Sequence, residues 1–267
     1  MPEPIFVGTG RADASAELAP PNGRPVDPVQ LKTLARAHED AGFDAVLVGG
    51  SDTSPHALVI ASEILHATDR LGTIVGLAPH LLAPTAAARA LATLDALHPG
   101  RVGAALPARA GRAEYADVLT LTWTSPRPFD YAGPAHRASA AWSAVRPAAG
   151  LPLWVTGAGE DVPGARRLHR LRPIVASTPR AARDYAERVL RVYRGTAETP
   201  AAALRDATGA RPGLPALVGP PEEVAAALVA HVAAGMDAVL LAGWAPLTDV
   251  PRYGEVIAAV HTERSLT

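Results

Sequence analysis

Short, unbroken apolar runs recur along the chain, and longer segments with apolar residues at helical spacing lie between them. Runs that are apolar without alternation are typical of parallel strands that are buried on both faces. Seven runs predict strands: IFVG (5–8), AVLV (45–48), GTIVGLA (72–78), RVGAAL (101–106), LPLWVTG (151–157), RPIVAS (172–177) and AVLL (238–241). The segments between them predict helices near 54–70, 85–97, 112–124, 160–170, 179–195 and 221–235.

One phrase occurs twice, near the two ends of the chain. The stretches HEDAGFDAVLVGG (38–50) and HVAAGMDAVLLAG (231–243) agree at eight of thirteen positions. Each indicates the end of a helix followed by a buried strand, so Gly42 and Gly235 are predicted to take the left-handed conformation that ends many helices. His38 and His231 are predicted to be cationic caps of these helix ends or half-buried packing residues.

The alternation of strands and helices predicts a parallel α/β fold, either a barrel or a doubly wound sheet. The repeated helix–Gly–Asp–strand unit favours the (β/α)8 TIM-type barrel, as a single domain over residues 1–267, because all βα units of a barrel are equivalent. Residues 196–219 interrupt the pattern, since they are rich in proline and alanine and contain only one weak strand, PALVG. The barrel is therefore predicted to be reduced or irregular around its seventh strand.

The composition mainly excludes classes of protein and kinds of site. Hydrophobic residues make up 48% and the net charge is −1, which is typical of a globular protein and argues against binding of nucleic acid or an anionic membrane. The absence of cysteine excludes disulfides, thiolate nucleophiles and cysteine-bound metals. We find no signal peptide, no membrane-spanning stretch and no metal-site spacing, and expect a cytoplasmic protein without a metal. Lys32 is the only lysine, so arginine clusters carry little weight as functional signals.

The loops that follow the C-terminal ends of the strands build the site in parallel α/β folds. Among them TGAGED (156–161) is the strongest candidate for holding a phosphate. Gly157 and Gly159 would let backbone N–H groups approach an anion at the start of the predicted helix 160–170. An ordinary strand-to-helix turn explains the same glycines, and Glu160 and Asp161 would then cap that helix.

Three side chains with rings follow other strands. His80 comes directly after the third predicted strand, and His56 is predicted to sit one turn into a helix. Both are candidate catalytic residues, as acid–base or hydrogen-bonding groups, and surface or capping positions are the alternative. Trp244 follows the last strand, where it could pack over a flat cofactor or close the barrel.

The run LAPTAAARALATLDALHPGRVGAAL (82–106) resembles the bacterial-luciferase-like monooxygenases, and within them the alkanesulfonate monooxygenase branch. Similar patterns occur in the same order along most of the chain, at 24–48, 61–80, 114–123, 151–161 and 218–257. The resemblance implies a TIM-type barrel that binds reduced flavin mononucleotide (FMN) or, in some relatives, the deazaflavin F420. It also implies the use of oxygen to oxidise a small organic substrate.

The resemblance further implies which residues bind the cofactor. The phosphate-binding turn of the family matches Thr156, Gly157, Ala158 and Gly159, its aromatic residue after the last strand matches Trp244, and its strand end against the flavin matches Ala78 to His80. Thr53 replaces a cysteine of the alkanesulfonate branch and is a further cofactor-binding candidate. A separate reductase would supply the reduced FMN, F420 is the less favoured cofactor, and a homodimer is expected.

Departures from the branch leave the activity open. The loop after the fourth strand is short, residues 196–219 lack the seventh strand and the substrate-binding arginines of the branch, and Pro246 replaces a histidine. The predicted function is an FMN-dependent monooxygenase that acts on a small organic substrate. The alternatives are a flavin-binding protein without turnover and a barrel that performs non-redox chemistry, such as a cyclisation or an isomerisation.

Overall fold

The computed structural model describes residues 5–9, 26–49, 55–147, 149–193, 199–211, 213–236 and 238–265. These ranges contain eleven strands and eight helices. The strands are β1 Ile5–Thr9, β2 Ala45–Val48, β3 Gly72–Gly76, β4 Val102–Leu106, β5 Phe129–Ala132, β6 Arg137–Ala141, β7 Leu153–Thr156, β8 Arg166–Leu171, β9 Ile174–Val175, β10 Val218–Gly219 and β11 Ala238–Leu241. The helices are α1 Pro28–Asp40, α2 Ala57–Ala67, α3 Pro84–Leu97, α4 Arg112–Thr124, α5 Pro179–Val192, α6 Pro200–Thr208, α7 Pro221–Ala233 and α8 Pro246–Ser265.

Seven of these strands form a closed parallel barrel, in the order β1–β11–β8–β7–β4–β3–β2. Neighbouring strands are in direct register; Thr73 of β3 lies opposite Val102 of β4, and Ala104 of β4 lies opposite Leu153 of β7. The predicted α/β barrel is therefore confirmed. The predicted reduction is confirmed as well, because the described barrel has seven strands where the regular TIM barrel has eight.

Six of the seven predicted strands lie in this barrel. The run RPIVAS is the exception, because it forms only the two-residue strand β9, which pairs in parallel with β10 in a separate two-stranded sheet. Strand β10 is all that forms from the weak candidate PALVG. In the part of the chain that the structure describes, residues 196–219 thus add no strand to the barrel.

The predicted helix 160–170 is wrong, because strand β8 occupies Arg166–Leu171. Gly164, with a φ of 76°, follows Pro163 and turns the backbone out of helical geometry just before β8 begins. Leu168 and Leu171 are both buried, three residues apart. That spacing suits one face of a helix as well as it suits this strand, which is why the apolar pattern misleads.

The helices predicted near 54–70, 85–97, 112–124, 179–195 and 221–235 are confirmed as α2, α3, α4, α5 and α7. The sequence analysis does not predict α6, α8 or the antiparallel hairpin of β5 and β6. The hairpin is missed because Ala141 is its only buried residue, so no apolar run marks it. No helix in the described ranges is both long and apolar enough to span a membrane.

The chain forms two compact units. One comprises residues 47–168 and includes the adjacent strands β3, β4 and β7 with helices α2, α3 and α4. The other comprises Met1–Val46 and His169–Thr267 and includes β1 and β11 with α1 and α5–α8. The predicted site residues fall in the sequence range of the first unit, with the exception of Trp244.

Both copies of the repeated phrase end a helix as predicted. Helix α1 ends at Asp40 and helix α7 ends at Ala233. Gly42 and Gly235 follow with φ angles of 78° and 90°, in the left-handed region that a residue with a Cβ rarely adopts. These local predictions are confirmed.

The two histidines of the repeated phrase are more deeply buried than predicted. The Nδ1 atoms of His38 and His231 each lie 2.8 Å from the carbonyl oxygen four residues earlier, of Leu34 and Ala227 respectively. Both side chains are fully buried. Burial lowers the pKa of His38 to about 4. This ring is therefore neutral near pH 7, and the prediction that it is a capping cation is wrong.

Candidate functional site

The turn TGAGED follows β7 and exposes its glycines, as expected of a site that receives a ligand. Gly157 and Gly159 have φ angles of 68° and 151°, which strongly favour glycine. A Cβ atom on Gly157 would lie 3.0 Å from the Cβ of Ala108, and one on Gly159 would lie 3.3 Å from Cζ of Arg112. The missing side chains thus let this turn lie close to the loop that follows the neighbouring strand β4.

The turn has a helix N-terminus beside it, but from an unexpected helix. Glu160 reaches across to the start of α4, where Oε1 lies 3.5 Å from the backbone nitrogen of Gly111 and Oε2 lies 3.4 Å from that of Ala113. Glu160 therefore caps α4, and the prediction that it caps a helix of its own is wrong, because the chain runs from the turn into β8. Asp161 instead forms an exposed ion pair with Arg167 at 3.2 Å.

The cationic side chain of Arg112 is buried beneath this turn. Its Nε donates to the carbonyl oxygen of Glu160 at 2.5 Å, and its Nη1 donates to that of Thr156 at 3.3 Å. The side chain is fully buried, and its Nη2 has no hydrogen-bond partner among the described residues. A buried guanidinium with an unused donor is costly unless an anion complements it. The arrangement can therefore bind an anion.

Sequence reasoning missed Arg112 as a functional residue, because arginine clusters were discounted in a chain with a single lysine. A signal was nevertheless present. The loop PARAGR follows β4 directly and carries Arg109 and Arg112, and the rule that sites form after the C-terminal ends of strands selects this loop.

His80 contacts the other arginine of the same loop. Nη1 of Arg109 lies 2.8 Å from Nδ1 of His80, and both side chains are exposed. An arginine can only donate, so Nδ1 of His80 accepts this hydrogen bond. The loop after β4 thus contacts His80 through Arg109 and the glycine turn through Arg112, so the structure brings two predicted parts of the site to one loop.

The remaining candidates of this unit are less closely connected to the turn. Ala78 is half-buried, and its carbonyl oxygen accepts from the backbone nitrogens of Leu81 and Leu82 at 2.9 and 3.1 Å. His56 is exposed at the N-cap of α2, without a side-chain capping bond, and not one turn into a helix as predicted. Thr53 lies outside the described residues. The described residues contain no group of three metal-binding side chains.

Trp244, in the other unit, is fully buried. It packs in an apolar cluster with Ile174 and Tyr185, and Cζ of Arg172 lies 3.3 Å from the centroid of its ring. The Trp244 indole also lies edge-on to Tyr193, with 6.5 Å between the ring centroids. Of the two roles left open for Trp244, this environment favours packing, and a contact with a cofactor stays a prediction.

Asp249 holds the backbone that carries Trp244. Oδ2 of Asp249 accepts from the backbone nitrogens of Trp244 at 2.7 Å and Ala245 at 2.8 Å, and the hydroxyl of Tyr185 lies 2.9 Å from both carboxylate oxygens. Burial raises the pKa of Asp249, while the two backbone N–H groups and Tyr185 oppose the rise. Burial, together with the charge of Asp249, likewise raises the pKa of Tyr185.

Comparison with known proteins gives one family. Residues 11–106 match the family model described as luciferase-like monooxygenase. This match covers 96 of the 267 residues, so it supports the predicted resemblance over the first part of the chain. The alkanesulfonate branch stays a prediction.

Solved structures with the same fold cover nearly the whole chain. EDTA monooxygenase from Chelativorans sp. BNC1 is 13% identical, with a TM-score of 0.75 over 98% of this chain and 95% of that chain. A riboflavin lyase, solved with modified FMN and its substrate riboflavin, is 17% identical, with a TM-score of 0.73 over 99% and 92% of the two chains. An F420-dependent secondary alcohol dehydrogenase, solved with an F420–acetone adduct, is 17% identical, with a TM-score of 0.69 over 97% and 99%.

At these identities the structural likeness concerns the fold, and a fold by itself hosts many activities. The family match adds chemistry to it. The match over residues 11–106 supports the prediction that the chain is an enzyme, an oxidoreductase of the monooxygenase type.

Proposed function

We propose that the chain is a flavin-dependent monooxygenase that binds reduced FMN through the turn Thr156–Gly159 and oxidises a small organic substrate with oxygen. The observation that carries this proposal is the buried guanidinium of Arg112, whose Nη2 has no partner among the described residues. A phosphate group supplies the negative charge that this buried cation lacks.

The residues present fit the phosphate of FMN. Gly157 and Gly159 are exposed, so their backbone is accessible to an anion, and a Cβ atom on either glycine would lie against Ala108 or the guanidinium of Arg112. The N-terminus of α4 adds N–H groups and the positive end of a helix dipole beside the turn. Arg167 donates to the carbonyl oxygen of Gly157 at 2.7 Å and so holds this end of the turn, while its charge is paired with Asp161.

Bound flavin would supply the redox chemistry, and the protein would supply binding, orientation and exclusion of water. The turn and Arg112 anchor the phosphate end of the cofactor. His80, whose Nδ1 accepts from Arg109, is a candidate for a polar contact with the ligand. His56, at the start of α2, is a second candidate for a polar contact.

FMN is the cofactor that we propose, and F420 is the less favoured alternative. The riboflavin lyase contains modified FMN and the alcohol dehydrogenase contains an F420 adduct, so relatives of this fold support either cofactor. We propose that a separate reductase supplies the reduced flavin and that the protein is a homodimer in the cytoplasm.

The test is a titration of the purified protein with FMN, riboflavin and F420, followed by flavin absorbance and fluorescence. We expect micromolar binding of FMN and binding of riboflavin that is weaker by about tenfold or more, because riboflavin lacks the phosphate. Equal binding of FMN and riboflavin, or no binding of either, would contradict the proposal.

A second candidate function is a flavin-binding protein without turnover. The short loop after β4 and the absence of a barrel strand from the described part of 196–219 favour it, because these segments shape the substrate pocket in the alkanesulfonate branch that the chain resembles. Oxygen consumption with FMN, a reductase and a panel of small organic substrates distinguishes the two functions. Substrate-dependent oxygen consumption faster than that of free reduced flavin would exclude a flavin-binding protein without turnover.

A further inference from the structure

The first turn of α4 is capped by a residue that is distant in sequence. Gly111 occupies the N-cap position with a φ of 76° and has no side chain to accept from the free N–H groups of the helix. Glu160 takes this role with its carboxylate, at 3.5 Å from the nitrogen of Gly111 and 3.4 Å from that of Ala113. Both distances are at the long end of the range for hydrogen bonds, and Glu160 is exposed, so the cap is weak.

The same residue helps to cover Arg112. The main-chain oxygen of Glu160 accepts from Nε of Arg112, and Gly159, one residue earlier, lies directly against the guanidinium. Arg112 is fully buried in this arrangement, and its Nη2 donates to no described group. A buried donor without a partner beside an exposed, weakly held carboxylate indicates a site whose natural occupant is a different anion.

We propose that Glu160 is a displaceable internal anion. A ligand phosphate replaces the Glu160 carboxylate at the N–H groups of Gly111 and Ala113, and the released turn then opens far enough for Nη2 of Arg112 to donate to the phosphate. This inference rests on the proposed function, because it concerns the same turn, and it adds the residue that sets the affinity of the site.

The displacement has a consequence for selectivity. A phosphate monoester carries a charge of about −1.5 to −2 near pH 7 and three acceptor oxygens, whereas the Glu160 carboxylate carries a single charge. The helix N-terminus and the guanidinium therefore favour the phosphate over Glu160, but a ligand with a single carboxylate gains little from the exchange. Glu160 thus selects for phosphate-bearing ligands over ligands that carry a carboxylate or no anion.

The test compares Glu160→Ala and Glu160→Gln with the wild type, using inorganic phosphate as the probe in isothermal titration calorimetry at fixed ionic strength. We expect E160A to bind phosphate about tenfold more tightly, and E160Q to lie between E160A and the wild type, because the amide still accepts hydrogen bonds but has no charge. Asp161→Asn is the matched control. It removes a charge from the adjacent, exposed residue, and we expect a change of less than about twofold.

Equal or weaker phosphate binding by E160A would overturn the inference, and so would an equal gain in D161N, because the effect would then come from the general field around the turn. Failure of both the wild type and E160A to bind phosphate would overturn it as well. A titration with FMN separates the two proposals. If the wild-type protein binds FMN and E160A binds it no more tightly, the role of Glu160 is wrong and the proposed function stands. If FMN does not bind but E160A binds phosphate more tightly than the wild type, the proposed function is wrong and the role of Glu160 stands.

Discussion

Each unit of the molecule buries a charged side chain near the end of a strand, and the two are hydrogen-bonded differently. Asp249 is 1% exposed and accepts hydrogen bonds from Tyr185, Trp244 and Ala245. Arg112 is 0% exposed and donates to two carbonyl oxygens, but its Nη2 has no described partner. The protein itself supplies hydrogen-bond partners for the carboxylate of Asp249, but it leaves one nitrogen of the Arg112 guanidinium without a described partner.

This difference separates a structural role from a binding role. A buried charge whose partners are all supplied by the protein holds its surroundings in one arrangement, and its loss leaves those partners unpaired. A buried charge with an unused donor lowers stability in the free protein and gains most when a ligand arrives. The end of β11 is thus held by contacts within the protein, and the end of β7 is where we propose that an anion binds.

The largest effect is expected from Asp249→Ala. The substitution leaves the hydroxyl of Tyr185 and the backbone nitrogens of Trp244 and Ala245 without their acceptor, which should lower the free energy of unfolding by about 3–5 kcal/mol. Urea unfolding measures this loss. Asp161→Ala, at a carboxylate whose side chain is 94% exposed, is the control and should change stability by less than about 0.5 kcal/mol. A loss of unfolding free energy below about 1 kcal/mol in D249A would show that the end of β11 does not depend on Asp249.

The dependence of stability on pH tests His38, a second buried group in the unit that contains Asp249. The pKa of His38 is lowered from 6.5 to about 4 by burial, so the unfolded chain takes up a proton at a higher pH than the folded protein does. The contribution of His38 to stability is therefore fully present above about pH 6.5 and is lost as the pH falls toward 4, by about 3 kcal/mol.

Urea unfolding between pH 7 and pH 4 measures this dependence on pH. His38→Gln should remove most of it, whereas His66→Gln, at an exposed position of α2, should keep it. Identical pH profiles for the wild type and H38Q would contradict the assignment to His38.

Arg112→Met should show the opposite pattern to D249A, with an effect on FMN binding and little effect on stability. It should weaken FMN binding by about thirtyfold, or about 2 kcal/mol, because the phosphate loses a charge-assisted partner. The free energy of unfolding should change by less than about 1 kcal/mol, because an uncompensated buried charge is removed together with its two hydrogen bonds.

The control for R112M is Arg137→Met, which makes the same change of charge at an exposed position of β6. It should leave the FMN affinity within about twofold of the wild type. A large loss of stability in R112M with unchanged FMN affinity would make Arg112 a structural residue like Asp249.

Trp244→Phe is expected to have the smallest effect. The variant loses the weak bond from Nε1 to the carbonyl oxygen of Arg172, at 3.4 Å, and part of its packing, which should cost about 1 kcal/mol in unfolding. FMN affinity should stay within about twofold of the wild type, and Trp142→Phe, at a 43% exposed indole, is the control. A tenfold loss of FMN affinity in folded W244F would instead support the cofactor contact that the family resemblance implies.

Much of the fold could be predicted from the sequence, because its signals are local. Six barrel strands are continuous apolar runs, and the turns after α1 and α7 need glycines whose position the repeated phrase marks. The failures occur where local signals are ambiguous or absent. Strand β8 buries Leu168 and Leu171 at a spacing that also suits a helix, and the β5–β6 hairpin buries almost nothing.

The site is predicted less completely than the fold. The glycine turn and His80 were selected by the rule that loops after strand ends build the site, and the structure connects both to the loop after β4. The same rule selects the loop that carries Arg112, but the burial that distinguishes this arginine from the others of the chain is visible only in the structure. The role of Glu160 was assigned to the wrong helix, because that assignment depended on the predicted helix 160–170.

The sequence by itself determined the parallel barrel and the positions of its glycine turns, since apolar runs and left-handed glycines act over a few residues. Only the tertiary structure decided which helix N-terminus lies beside the phosphate-binding candidate and which arginine is buried beneath it. The physical reason is separation along the chain. The bond from Arg112 to Glu160 joins residues 48 positions apart, and such a contact exists only because β4 and β7 are neighbours in the barrel.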